Sequence, residues 1–190
     1  MKLERRHVIG NLFGGLSLFA FGTRQITGNT GSSGARQIFD RQLTDVEQEV
    51  IGVVGAMPAG RFNFAPTDGA FKNVRTFGAQ TRHIGFCLNE VAVALLGEPM
   101  LPHADQEGPK NLTSKEEIVR YLKDAFAHAH RAIGTLTNAN LLEEIADPYV
   151  EKLRTTRLDA ATIFLSHTWD HYGQIVEYLR MNNLAPAGHQ

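Results

Sequence analysis

The chain has 190 residues, of which 43% are hydrophobic and 21% are charged, and this composition is typical of a globular protein with a single core. Its formal net charge is −1 and it contains no block of like charges, so the sequence predicts no nucleic-acid-binding surface and no acidic tail. The single cysteine, Cys87, excludes an intramolecular disulfide.

The first 22 residues have the layout of an export signal. The segment MKLERRHVIGNLFGGLSLFAFG begins with a basic cluster and continues with an apolar, glycine-rich run that ends in small residues. That run has about 15 residues, fewer than the ~20 of a membrane-spanning helix, so we expect no stable membrane anchor once the signal is removed. Arg5 and Arg6 resemble the pair of a twin-arginine signal, although Glu4 replaces the usual serine. An ordinary secretory signal and an uncleaved anchor or buried helix are the alternatives to twin-arginine export into the periplasm or the medium.

Residues 23–37 contain many Gly, Ser and Thr residues and are predicted to form a flexible linker. The folded domain is therefore expected to begin near Ile38 and to extend to residue 190. Downstream of the linker, the sequence shows no sustained alternation of polar and apolar residues, so we predict no β-sheet.

Two helices are predicted in the first half of this domain. The first spans residues 41–57, where apolar residues recur at helical spacing until Pro58 ends the run. The second extends from about residue 70 to residue 96, with Thr67 or Asp68 as its expected N-cap.

Two further helices are predicted in the second half. The third begins after Thr113 or Ser114 as N-cap, in the segment TSKEE, and its apolar stripe continues to Leu136. The fourth runs over residues 156–183. Four helices with polar connections predict an all-α four-helix bundle, whose ligand site would be built from side chains on facing helices.

The segment HTWDH places His167 and His171 four positions apart on the fourth helix, so both side chains point in nearly the same direction, about one turn apart. Such a pair can be solvated, can be hydrogen-bonded in the core, or can bind one metal ion. His83 lies midway along the second helix beside an apolar stripe. If the two helices are neighbours, His83 completes a set of three imidazoles that leaves a coordination position open for water or substrate. By contrast, His128 and His130 lie two apart, about 200° around their helix, and cannot share one ion.

The segments FNFAPTDGAFKNVRTFGAQTRHIGFCLNEVAVALLG and HTWDHYGQIVEYLRMNNLAP resemble the DinB-like superfamily of four-helix metalloproteins. The resemblance covers about residues 38–186. It implies an up-down-down-up bundle, often a homodimer, in which His83, His167 and His171 hold one divalent metal ion. Three imidazoles favour Zn²⁺ or Ni²⁺ for that ion.

A divalent ion held by neutral imidazoles makes hydroxide available near neutral pH, so we predict a metal-dependent hydrolase of a small-molecule substrate. The alternatives are a metal-dependent transferase of small thiols, a chemistry known in the superfamily, and a metal-binding or stress-associated module without catalysis. Glu90, two turns beyond His83, is a candidate proton shuttle, and Tyr178 is a candidate pocket-lining group. Cys87 is either a fourth ligand or a small buried thiol that fills a helix contact. Asp170 is expected either to flank the histidine site or to pair with a surface cation.

Overall fold

The computed structural model describes residues 34–67, 73–101 and 106–186, and in these residues it shows four α-helices and one small antiparallel sheet. The helices are α1 (Gly34–Ala56), α2 (Phe77–Leu96), α3 (Lys115–Ile133) and α4 (Arg157–Met181). The strands are β1 (Glu144–Ala146) and β2 (Arg154–Thr156), and a 3₁₀ helix, Ala59–Arg61, follows α1. The predicted all-α four-helix fold is confirmed. The predicted export signal lies outside the described residues.

Helices α2 and α4 run antiparallel. Near the start of α2, the Gln80 amide nitrogen donates to the Gln174 carbonyl oxygen at 2.8 Å, and Gln174 lies in the second half of α4. At the other end, the Arg157 guanidinium at the start of α4 donates to the Leu95 backbone oxygen at 2.7 Å. His83 and His171 therefore lie at matching heights on facing helices.

Helices α2 and α3 run parallel. Gly78, at the start of α2, packs against Ile118 in the first turns of α3. Further along both helices, His128 donates from Nδ1 to the Asn89 side-chain oxygen at 2.7 Å. Parallel neighbours require a long crossover, and residues 97–114 provide it.

Helix α1 runs antiparallel to α3. His130, near the end of α3, donates to the Asp40 carboxylate at 2.7 Å, and Asp40 lies in the first turns of α1. At the opposite end, the Lys115 ammonium donates to the Met57 backbone oxygen at 2.7 Å. Together with the two preceding pairs, this orientation gives the up-down-down-up order that the resemblance implies.

Burial of the apolar stripes holds the bundle together, and α2 lies at its centre. Seventeen of the twenty α2 residues are buried, so this helix carries polar side chains into the interior along with apolar ones. Each large aliphatic or aromatic side chain that is fully buried stabilises the fold by about 1.5–3 kcal/mol relative to exposure. The fully buried set includes Leu43, Met57, Phe77, Ile84, Leu88, Leu122, Phe126 and Phe164.

Two helix starts differ from the prediction. Helix α1 begins at Gly34 rather than at residue 41, so residues 34–37 of the predicted linker are helical. The contact between Asp40 and His130 packs these early turns against α3. A local count of Gly and Ser cannot detect such a contact. The rest of the predicted linker, residues 23–33, lies outside the described residues, and the domain boundary stays a prediction.

Helix α2 begins at Phe77, so the predicted start at residue 70 and the predicted cap at Thr67 or Asp68 are wrong. Thr76 is the N-cap, and its side chain accepts from the Ala79 backbone N–H at 3.2 Å. The first N–H groups of the helix donate to the backbone oxygens of Phe64 and Phe62. Pairing with the preceding loop therefore fixes this start.

The absence of a sheet was also predicted wrongly. Strands β1 and β2 pair antiparallel, with Ile145 opposite Thr155, but each has only three residues, too few to show an alternating pattern. Tyr149, on the connection between them (residues 147–153), lines the site described below. No helix among the described residues has both the length and the hydropathy needed to cross a membrane.

Candidate metal centre

Three imidazole rings converge between α2 and α4. The Nε2 atom of His171 lies 3.0 Å from the Nε2 atom of His83 and 3.0 Å from the Nε2 atom of His167. His83 and His171 are buried, with 4% and 6% of their surfaces exposed, and His167 is half-buried. The structure thus brings together the three histidines that the sequence selects.

The hydrogen bonds made by the Nδ1 atoms of the rings determine whether each Nε2 atom carries a proton or an available lone pair. His83 Nδ1 contacts the Gln106 backbone oxygen, which can only accept, so Nδ1 carries the proton and Nε2 keeps its lone pair. His171 Nδ1 contacts the Gln80 side-chain amide. The amide nitrogen of Gln80 faces this ring, so Nδ1 accepts and the proton of neutral His171 lies on Nε2. Turning the amide over would make Nδ1 the donor and free Nε2 for a metal. The orientation of Gln80 therefore sets the tautomer of His171.

Burial keeps all three rings neutral. It lowers the pKa of His171 to about 4, and the neighbouring His167 and His83 act in the same direction. Burial also lowers the pKa of His83 and of His167, and the positive charge of Arg75 adds to both shifts. Neutral imidazole is the form that binds metal, so at neutral pH the cluster is ready to act as a ligand set.

Cys87 is a further candidate ligand. Its Sγ atom lies 3.6 Å from His83 Nε2, one helical turn along α2. One donor atom each from Cys87, His83 and His167 lies within 4.8 Å of the others, a spacing that can hold a metal ion. Burial, with the Glu90 charge as a second cause, raises the pKa of the thiol to about 12, so without a metal it remains protonated.

A cavity of about 240 Å³ opens beside the rings. Glu90, the predicted proton shuttle, lies in its wall and is 2% exposed. Asp170 lines it from α4. Tyr178 is not among the lining residues, because its hydroxyl donates to the Arg75 backbone oxygen at 2.9 Å and its ring packs edge-on against Phe64. Tyr178 therefore reaches the site only through Arg75.

Sequence reasoning missed four residues around the rings: Gln80, Gln106, Arg75 and Tyr149. Gln80 could have been found, because it precedes His83 by three positions and so shares its helix face. The other three lie in connections between helices, where no periodicity indicates direction. Tyr149 lies on the segment between β1 and β2, and its ring centroid is 5.8 Å from that of His167.

The histidines of α3 are engaged elsewhere. His128 contacts Asn89 and Glu98, and His130 contacts Asp40 and Glu47. As predicted from their spacing, the two rings point to different partners.

The sequence model of the DinB superfamily matches residues 42–175, a span that includes all three converging histidines. No curated protein matches the chain.

Proposed function

The chain belongs to the DinB superfamily, and from this premise we propose that it binds one divalent metal ion through His83, His167 and His171 and hydrolyses a small-molecule substrate. The observation that carries the proposal is that His171 Nε2 lies 3.0 Å from the Nε2 atom of His83 and 3.0 Å from that of His167, on the wall of a cavity. Zn²⁺ and Ni²⁺ are the ions that best suit such a set.

The donor set fits a metal ion in chemistry and in spacing. Tetrahedral bonds of about 2.0–2.1 Å from zinc to nitrogen place neighbouring nitrogens about 3.3 Å apart, close to the separations found here. With the Gln80 amide turned over, all three neutral rings would direct Nε2 lone pairs toward one buried point, and a cation would then satisfy these acceptors.

When bound, the ion supplies Lewis acidity and lowers the pKa of coordinated water toward ~7. The chain's own residues supply the remaining functions. Gln106 and Gln80 hold the outer nitrogens of His83 and His171 and so fix the ring orientations. Glu90 is placed in the cavity wall, where we propose that it exchanges a proton with the substrate.

Cys87 supports a second candidate function. If its thiolate takes the remaining coordination position, the site is closed, and the chain is a metal-binding module rather than an enzyme. A small-thiol transferase is the other alternative, in which a substrate thiolate occupies that position instead.

We further propose that the chain is exported and forms a homodimer. The arginine pair and the apolar run in the first 22 residues support export. Trp169 supports an association surface on α4, because 39% of it is exposed and its ring packs against Tyr172 at 5.4 Å between centroids. Analytical ultracentrifugation of the wild type and of Trp169→Ala tests the dimer.

The hydrolase proposal is tested by assaying the zinc- or nickel-loaded protein against esters, amides and phosphoesters. We expect hydrolysis that Glu90→Gln reduces while metal content stays unchanged, with Glu98→Gln as the matched control. Inactivity of the loaded protein toward every class, together with loss of metal in Cys87→Ser, would favour the closed module instead.

A further inference from the structure

Among the described residues near the histidines, two buried polar atoms have no hydrogen-bond partner: Nε of Arg75 and the hydroxyl oxygen of Tyr149. Both residues line the 240 Å³ cavity. The Arg75 Nε atom forms an ion pair with the Glu107 carboxylate at 3.7 Å, a distance too long for a hydrogen bond. An unmatched buried donor costs about 1–3 kcal/mol, so two of them in residues that line one cavity indicate a ligand with acceptor atoms.

The backbone of both residues is held in place by other contacts. Tyr178 fixes the backbone of Arg75 through the hydrogen bond to its carbonyl oxygen. The backbone N–H of Tyr149 donates to the Asp147 carboxylate at 2.8 Å, and its ring lies against His167. Burial raises the pKa of Tyr149, so its hydroxyl remains a donor at neutral pH. The unmatched donors therefore come from two ordered elements on the same cavity.

The charge of the cavity favours an anion more strongly when a metal ion is present. Among the lining residues that the structure describes, the carboxyls of Glu90 and Asp170 outnumber the one guanidinium, that of Arg75. A divalent ion at the histidines would make the balance positive. A ligand anion would then be attracted by the ion and by Arg75 together.

We infer that Arg75 and Tyr149 form an oxyanion subsite beside the histidines, which binds a carboxylate or phosphate group of the substrate. This inference rests on the proposed metal site and specifies its substrate class. A guanidinium presents paired donors that match the oxygens of both groups, and the tyrosine hydroxyl adds a third donor. The cavity of about 240 Å³ is smaller than the ~300–1,000 Å³ of typical ligand pockets, so we expect it to admit an anionic head group while the remainder of the substrate extends outward.

The test is calorimetric titration of inorganic phosphate and of acetate into the full chain, zinc-loaded and zinc-free. We expect Arg75→Met to weaken binding of the preferred anion by at least about tenfold, Arg75→Lys to weaken it less, and Tyr149→Phe to weaken it several-fold. Arg180→Gln removes an exposed guanidinium on α4 and should leave anion affinity unchanged. The preference between the two anions distinguishes a phosphate substrate from a carboxylate one.

Zinc stoichiometry and thermal unfolding of each variant separate this inference from the proposed function. Zinc uptake with equal anion affinity in the wild type, Arg75→Met and Tyr149→Phe would overturn the subsite and leave the metal site intact. If the wild type takes up no zinc, the metal proposal fails, and the zinc-free titration decides the subsite: anion binding that depends on Arg75 retains it, and no such binding overturns it.

Discussion

His83 and Cys87 lie one turn apart on α2, and each could act as a metal ligand together with His167 and His171 on α4. We expect His83→Ala and His171→Ala each to lower zinc affinity by orders of magnitude, because only two of the three imidazole ligands would remain. Cys87→Ser should leave metal content nearly unchanged and cost at most about 1 kcal/mol of folding stability. Competition titration with a chelator measures the affinities. The opposite ranking would place the metal at the Cys87 side of the cluster.

Gln80 offers a separate test, because it contacts the outer nitrogen of His171. Gln80→Leu should lower zinc affinity by about 10–100-fold, since the ring loses the partner that orients it. Gln80→Glu should retain or raise the affinity, because a carboxylate only accepts and so forces the proton of His171 onto Nδ1. The exposed Gln48→Leu in α1 is the control for the same substitution. Equal affinities in Gln80→Leu and the control would exclude a role for Gln80 in holding the ring.

At the scale of elements, the close contact of α2 with α3 depends on Gly85. A Cβ atom at this position would lie 2.7 Å from the Tyr121 ring, so Gly85→Ala should force the ring or the helices apart. We expect a loss of about 1–3 kcal/mol in the free energy of unfolding, measured by urea denaturation. Gly52→Ala in α1 meets no atom within 4 Å and should be stabilising by about 0.5–1 kcal/mol. Equal effects of the two substitutions would show that the α2–α3 contact tolerates a methyl group.

The helix ends show how far local sequence determines structure in this chain. Ser114 and Glu117 form a complete capping box, and the start of α3 was predictable because both partners lie within one turn. The start of α2 was not predictable, because Thr67 and Thr76 are equally good capping residues. The helix starts after Thr76 because its first N–H groups donate to the backbone oxygens of Phe62 and Phe64.

The same distinction applies to the site. His83, His167 and His171 could be selected from helical spacing together with the family resemblance, because all three lie on long regular helices. Arg75 and Tyr149 could not be selected from the sequence, because both lie in connections between elements, and the path of such a connection depends on the folded bundle.

At the scale of the whole molecule, the lowered pKa values of the three histidines make folding of the metal-free protein depend on pH. Below the ordinary value of 6.5, the unfolded chain binds more protons at these rings than the folded chain does. The free energy of unfolding should therefore fall as pH drops below 6.5, by up to about 1.4 kcal/mol per pH unit for each histidine, and for His171 the fall should continue to about pH 4. Urea denaturation at several pH values should show a steeper fall for the wild type than for His171→Gln. If the free energy of unfolding fell equally with pH in the wild type and in His171→Gln, the His171 ring would not be buried in its neutral form.

Export is also a property of the whole chain. Changing Arg5 and Arg6 together to lysine should retain the protein in the cytoplasm if the signal is of the twin-arginine type, whereas a secretory signal tolerates the change because charge is preserved. Cell fractionation measures the outcome. Normal export of the double variant would reject the twin-arginine assignment.

The central claim is that the converging histidines hold a metal ion, and metal analysis tests it most directly. The full chain, purified without a histidine tag, should contain about one divalent ion per chain or should take up one equivalent of zinc or nickel at neutral pH. A metal-free protein that takes up neither ion on titration would contradict the claim.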